Sequence, residues 1–158
     1  MSIHTLYREQ VLPLPVDEVF TFFADARNLE AITPPWLNFQ IRTPQPIAMH
    51  PGALLDYRLK WHGLPIAWKT EILAWNPPHS FTDIQLRGPY RLWHHVHTFH
   101  ADPEGTRMAD LVTYRLPLGP LGELAHALTV RRDLERVFDY RFQEIEKLFA
   151  PSQPRVRR

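Results

Sequence analysis

The sequence predicts an α+β fold, a curved antiparallel sheet closed around one long C-terminal helix, and three observations carry that expectation. First, residues 54–116 divide into five strand-like runs of about 8–12 residues, each bounded by a turn signal. Second, between Leu121 and Phe149 the residues Leu121, Leu124, Leu128, Leu134, Phe138, Phe142, Ile145 and Phe149 recur mostly at three- and four-residue steps, the helical period. Such a helix would run about 43 Å at 1.5 Å per residue, long for a chain of 158 residues. Third, its apolar stripe needs cover, and the preceding chain offers mainly strands. One domain over residues 1–150 follows, with a basic, unfolded tail at 151–158.

The elements follow in chain order. His4 to Leu12 carries Tyr7, Val11 and Leu12 among polar residues and reads as an opening strand, closed by Pro13 and Pro15. VDEVFTFFAD (16–25) is a short helix with Val16, Val19, Phe20 and Phe23 on one face and Asp17 and Glu18 in its first turn, where unpaired N–H groups favour negative charge. Asn28–Ile32 makes a second helical turn. Residues 34–52 hold five prolines and a glycine around NFQIRT and read as loop with room for one edge strand. Then come LLDYRLKW (54–61), turning at His62-Gly63; IAWKTEILAW (66–75), ending at Asn76-Pro77-Pro78; and SFTDIQLR (80–87), turning at Gly88-Pro89. YRLWHHVHTFHA (90–101) turns through DPEG into TRMADLVTYRL (106–116), and PLGP (117–120) breaks the chain before the helix.

Composition narrows the function. Hydrophobic residues make up 44% and charged residues 22%, ordinary for a globular protein. The net charge is +1, and with the tail residues Arg155, Arg157 and Arg158 set aside the rest carries about −2, which argues against nucleic acid as a partner. No apolar run reaches the roughly 18 residues of a membrane span, and the N-terminal residues lack a signal-peptide pattern. The chain has no cysteine, hence no disulfide framework or thiolate chemistry. A cytoplasmic protein is the expectation, with monomer and homodimer both open. Phosphate-loop, HExxH and GxSxG motifs are absent.

The unusual feature is polarity inside the strands. WHHVHTFH (93–100) alternates so that Trp93, His95, His97 and Phe99 share one face. A hairpin through DPEG with Ala101 opposite Thr106 sets Phe99 by Met108, His97 by Asp110, His95 by Val112 and Trp93 by Tyr114. A carboxylate across from an imidazole orients the ring and raises its pKa. One strand back the register has two solutions. A two-residue turn at Gly88-Pro89 pairs Asp83 with His94, whereas a three-residue turn through Tyr90 pairs Gln85 with Trp93, Asp83 with His95 and Phe81 with His97. The slip moves the polar set to the other face, and periodicity does not choose. His95 and His97 with Asp110 also have metal-ligand character. In a chain with nine histidines an HxH spacing is weak, however, so neither a metal nor a cofactor is expected. Trp61, Trp68, Trp75 and Trp93, with Tyr57, Tyr90 and Tyr114, supply apolar bodies with polar handles suited to a cavity wall. Trp36, in the proline-rich loop, suits either a lid or an anchor. On the helix, spacing from Leu124 and Leu128 brings Arg131 near the inward side, where it would meet a ligand's carboxylate or snorkel to solvent.

Several stretches resemble a known superfamily. PVDEVFTFFAD, ARNLEAITPPW, the meander and the closing helix are similar to the START-like helix-grip superfamily, which includes polyketide cyclases and lipid-transfer domains. WKTEI (68–72), FTDIQLRGPYRLWHHVHTF (81–99), DLVTYRLPLGPLG (110–122) and VRRDLERVFDYR (130–141) resemble its bacterial ligand-binding, SRPBCC-type branch. The resemblance implies seven strands curled round the C-terminal helix, two short helices after the first strand, and an apolar cavity between. It favours the three-residue turn and implies ligand contacts at Trp68, Phe81, Asp83, Gln85, Trp93, His95, His97, Asp110 and Tyr114. Arg131 joins them as the site sought for a bound acid. It supplies no catalytic residue. The expected function is binding of a mid-sized hydrophobic small molecule with a polar end. The alternative is a cyclase-, dehydratase- or hydrolase-type enzyme using His95 or His97 as general acid–base.

Overall fold

The computed structural model describes residues 2–150, so the expected tail at 151–158 lies outside the described residues. The chain forms β1 (His4–Leu12), α1 (Val16–Ala24), α2 (Asn28–Ala31), a 3-10 turn at Pro35–Leu37, and β2 (Gln40–Ile41). Then come β3 (Leu54–Trp61), β4 (Leu64–Asn76), β5 (Ser80–Arg87), β6 (Leu92–Asp102) and β7 (Gly105–Arg115). A helical C-terminal segment closes the fold: α3 (Pro120–Ala125), a π-helical turn at His126–Val130, and α4 (Arg131–Phe149). All seven strands join one antiparallel sheet in the order β1-β7-β6-β5-β4-β3-β2. The sheet curves around α4, the helix-grip topology. Among the described residues no helix is long and apolar enough to cross a membrane.

Alternation does most of the positioning. Along β6 and β7 every second residue is buried, including Trp93, His95, His97 and Phe99 on one and Met108, Asp110, Val112 and Tyr114 on the other. The hairpin register pairs Ala101 with Thr106, Phe99 with Met108, His97 with Asp110 and Trp93 with Tyr114, as DPEG dictates. Gly105 ends this turn at φ +136°, where a Cβ would lie 2.1 Å from the Leu12 carbonyl oxygen, so β1 crosses here only because the side chain is absent. Between β5 and β6 the register of the three-residue turn prevails, with Phe81 opposite His97 and Asp83 opposite His95, but the ladder ends at Ile84 and His94, short of the expected Gln85–Trp93 pair.

One end of the barrel is solidly packed. Val19, Phe20 and Phe23 of α1 meet Phe81, Phe99, Met108 and Ile145, with Val19, Phe99 and Ile145 wholly inaccessible. The C-terminal helix departs from the single expected stripe. Leu134, Phe138 and Ile145 are buried, whereas Leu121, Leu124 and Leu128 are 69%, 55% and 68% exposed. The π turn at 126–130 explains the split. Its i→i+5 hydrogen bonds take an extra residue per turn, so the apolar positions before and after it no longer lie in line.

Candidate functional site

The other end of the barrel encloses a cavity of about 680 Å³. Its walls come from the sheet (Leu55, Tyr57, Trp68, Trp93), from the α1–α2 region (Phe23, Ile32) and from α4 (Leu134, Phe138). Trp36 lies at the rim, half-exposed, with its ring edge-on to Tyr140 at 5.6 Å and the Arg136 guanidinium 5.3 Å from its centroid. Across the mouth, the tip of the β3–β4 hairpin is tied to α4. Asp133 Oδ2 accepts from Trp61 Nε1 at 2.9 Å and lies 2.7 Å from His62 Nε2.

Charged groups gather on one part of this otherwise apolar wall. Asp83 (β5), His95 and His97 (β6) line the cavity, Asp110 (β7) stands behind them, and Arg141 reaches in from α4. Strand alternation aims the first four inward, and the helical steps 134, 138, 141 and 145 carry Arg141 onto the buried stripe. His95 Nε2 is 2.9 Å from Asp110 Oδ1, and His97 Nε2 is 2.8 Å from Asp83 Oδ2. His97 Nδ1 comes within 3.0 Å of Asp110 Oδ1 but is not aligned for a hydrogen bond, which leaves this buried nitrogen unsatisfied. The two rings lie 3.7 Å apart, and Phe81 stacks on His97 at 4.1 Å. Arg141 Nη2 donates to Asp110 Oδ1 at 3.4 Å, while its Nε is buried without a partner.

Protonation follows from these neighbours. Burial alone would raise the Asp110 carboxyl, but the Arg141 guanidinium and both imidazoles hold it well below the usual range. Asp83 is lowered too, its burial outweighed by His95 and His97. Burial and then the adjacent His97 push His95 down, whereas His97, despite burial, is raised by Asp110 and Asp83. Asp110 is therefore a carboxylate and can only accept, so His95 carries its proton on Nε2 and keeps an Nδ1 lone pair. That Nδ1 lies 3.7 Å from Asp83 Oδ2, beyond hydrogen-bond distance.

Six of the ten residues singled out in the sequence, Trp68, Phe81, Asp83, Trp93, His95 and His97, line the cavity. Asp110 sits one layer behind. Three lie elsewhere. The Gln85 amide is occupied at the β5–β6 turn, donating through Nε2 to the Tyr90 carbonyl at 2.7 Å and accepting from the Tyr90 N–H at 3.2 Å. The Tyr114 ring is buried, but its hydroxyl lies 2.9 Å from His126 Nε2, toward an outer depression. Arg131, expected near the inward side, is the first residue of α4 and pairs with Glu135 at 3.1 Å, its side chain 70% exposed. Arg141 is the residue that sequence reasoning missed. The signal was present: it falls three residues after Phe138 and four before Ile145, within the apolar stripe.

Among the described residues, two groups bring metal-ligand atoms within 4.8 Å of one another: Asp83, His95 and His97 in the cavity, and His4, Glu123 and His126 outside it.

Comparison with known proteins places the fold. No protein-family profile matches the chain, and no curated protein matches it. Solved structures do. The chain is similar to protein Ms6760 from Mycobacterium smegmatis, with 21% identity, TM-score 0.67, and 91% of this chain and 89% of that one covered. It is similar to protein CV1439 from Chromobacterium violaceum at 12% identity and TM-score 0.72, covering 94% and 99%. Ginseng major latex-like protein 151 from Panax ginseng aligns at 13% identity and TM-score 0.68, covering 94% and 99%. At these identities the likeness is one of fold alone, the helix-grip fold.

Proposed function

We propose that the protein binds a mid-sized, mostly apolar molecule whose single polar end meets the Asp83–His95–His97 corner. The observation that carries this reading is the cavity itself, about 680 Å³ of space with an aromatic and aliphatic wall, charged groups at its mouth and one cluster of buried charge inside. That volume falls within the range of small-molecule sites. Trp68, Phe81 and Trp93 form the wall nearest the corner, with the Trp68 and Trp93 rings perpendicular at 5.2 Å. A ligand covering roughly 300 Å² of apolar surface would gain about 7 kcal/mol from burial before the costs of association. The charged corner supplies orientation. A hydrophobic end placed there would strip water from groups whose desolvation costs roughly 1–3 kcal/mol each, so the ligand's own polar end is directed to it.

The test is native mass spectrometry of the purified protein, followed by extraction and identification of any carried molecule. An extracted amphiphile that rebinds and quenches tryptophan fluorescence, with affinity lost in Trp93→Ala, is the expected result. A chain that carries nothing and takes up no apolar probe in this cavity would count against the reading. Chemical change in a rebound ligand, lost in His95→Gln, would point instead to the general acid–base alternative.

A further inference from the structure

The geometry points to a mononuclear divalent transition-metal site built from Asp83 Oδ, His95 Nδ1 and His97 Nε2, with open coordination positions facing the cavity. The HxH spacing alone does not carry this; the arrangement of both ends of both imidazoles does. On the cavity side three donors converge. His97 Nε2 lies 2.8 Å and His95 Nδ1 3.7 Å from Asp83 Oδ2. A four-coordinate ion with bonds of 2.0–2.2 Å needs donors about 3.3 Å apart, a value these two distances bracket. All three residues line the cavity, and their side chains are only 17%, 7% and 5% accessible.

The opposite ring nitrogens show a second and independent feature. His95 Nε2 and His97 Nδ1 both lie against one oxygen, Asp110 Oδ1, at 2.9 and 3.0 Å. Metal-bound imidazoles generally donate the ring N–H that does not ligate to a carboxylate, a backbone carbonyl or water. Here one carboxylate serves both rings, and Arg141 anchors it at 3.4 Å. His97 Nε2 now donates to Asp83, so metal binding there displaces that proton, and His97 Nδ1, buried without an aligned partner, carries the ring's remaining proton toward Asp110. With Nε2–H pinned by Asp110, His95 is already the tautomer that offers Nδ1. Two imidazoles and one carboxylate form a borderline donor set of the kind taken by Zn²⁺ or Fe²⁺ rather than by Ca²⁺ or Mg²⁺. The remaining positions open toward the cavity, where a water molecule or an anionic oxygen of a bound ligand would complete the shell. The inference goes beyond small-molecule binding and stands whichever molecule fills the cavity, because the metal is tested alone.

The experiment uses the purified full chain, stripped with a chelator, dialysed, and titrated with Co²⁺ and then Zn²⁺ in the absence of any organic ligand. The expected result is one equivalent of Co²⁺ with visible absorption bands, displaced by Zn²⁺. Binding should weaken at least a hundredfold in His95→Gln and in His97→Gln. Asp110→Asn, a positioning change, should cost about 10–100-fold. A His4→Gln/His126→Gln double variant should bind as the wild type does. Because a variant can lose its fold, each is checked for cooperative unfolding, and wild-type spectroscopy decides independently. X-ray absorption of the Zn²⁺-loaded protein should show only nitrogen and oxygen donors, two of them imidazole, and nitrogen-15 NMR should assign His95 through Nδ1 and His97 through Nε2. A wild-type chain that takes up neither ion, an equivalent retained in the His95→Gln/His97→Gln variant, or ligation through the opposite nitrogens would overturn the proposal.

Discussion

Two clusters in this molecule hold the same residue types at the same close spacing, and only one is built as a site. In the outer cluster His4 Nε2 lies 3.2 Å from Glu123 Oε2, the His4 and His126 rings stack at 3.6 Å, and His126 Nε2 meets the Tyr114 hydroxyl at 2.9 Å. Burial and then His4 lower His126, so the stacked pair avoids facing like charges. These groups border a surface depression lined also by Arg8, Arg131 and Glu135, in which Arg131 is already paired with Glu135. Among the described residues no carboxylate lies behind the imidazoles to fix their other ring nitrogens, and Glu123 is also engaged by the Ser2 N–H at 2.8 Å. In the inner cluster, by contrast, Asp110 orients the His95 ring and stands 3.0 Å from His97 Nδ1, Arg141 orients Asp110, and the donors face the cavity. The lesson is that proximity of ligand atoms is cheap on a histidine-rich surface. A second layer of oriented partners is what separates a site from a coincidence.

That contrast can be broken experimentally. The largest effect is expected from Arg141→Met, which leaves the buried Asp110 carboxylate short of its main counter-charge. Urea unfolding should show a loss of about 3–5 kcal/mol, and a loss below 1 kcal/mol would mean that the network does not depend on α4. Next, Zn²⁺ at a hundredfold excess over its Kd should stabilise the wild type by about 2.7 kcal/mol. Calorimetric melting should show the same gain in the His4→Gln/His126→Gln variant and none in His95→Gln. Third, His95→Gln without metal should cost about 1–3 kcal/mol, because Asp110 loses an aligned donor in a buried setting. His126→Gln should cost under about 1 kcal/mol, since its contacts are partly solvated. Smallest of all, Leu128→Gln, on the exposed segment before α4, should stay within about 0.5 kcal/mol of wild type. A larger loss there would mean that this face is covered in solution.

Much of the inner cluster was legible before any coordinates. A tight DPEG turn fixes the β6–β7 register, and strand alternation then places His95, His97 and Asp110 on one face without reference to the rest of the chain. Arg141 was harder to see, because an arginine within an apolar stripe reads equally as a solvated residue until its counter-charge is located. Gln85 illustrates the opposite error. It shares the inward face of its strand by parity, yet the backbone groups of Tyr90 at the neighbouring turn claim both ends of its amide.

The sequence by itself determined the five-stranded meander over residues 54–116, the short helices after β1, the hairpin register through DPEG and the presence of a long C-terminal helical segment. Each follows from interactions between residues close in the chain, with periods of 2 and 3.6 and strong turn chemistry. Tertiary structure alone decided three further matters. It selected the three-residue β5–β6 turn, because that places Asp83 beside His95 and His97 rather than outside. It placed the π turn ahead of α4, which puts Leu124 and Leu128 out of line with the buried stripe that carries Arg141. It also left about 680 Å³ open between sheet and helix instead of closing it. These depend on how distant surfaces meet, and a one-residue slip or a fraction of a helical turn changes which side chains face inward without altering the local pattern.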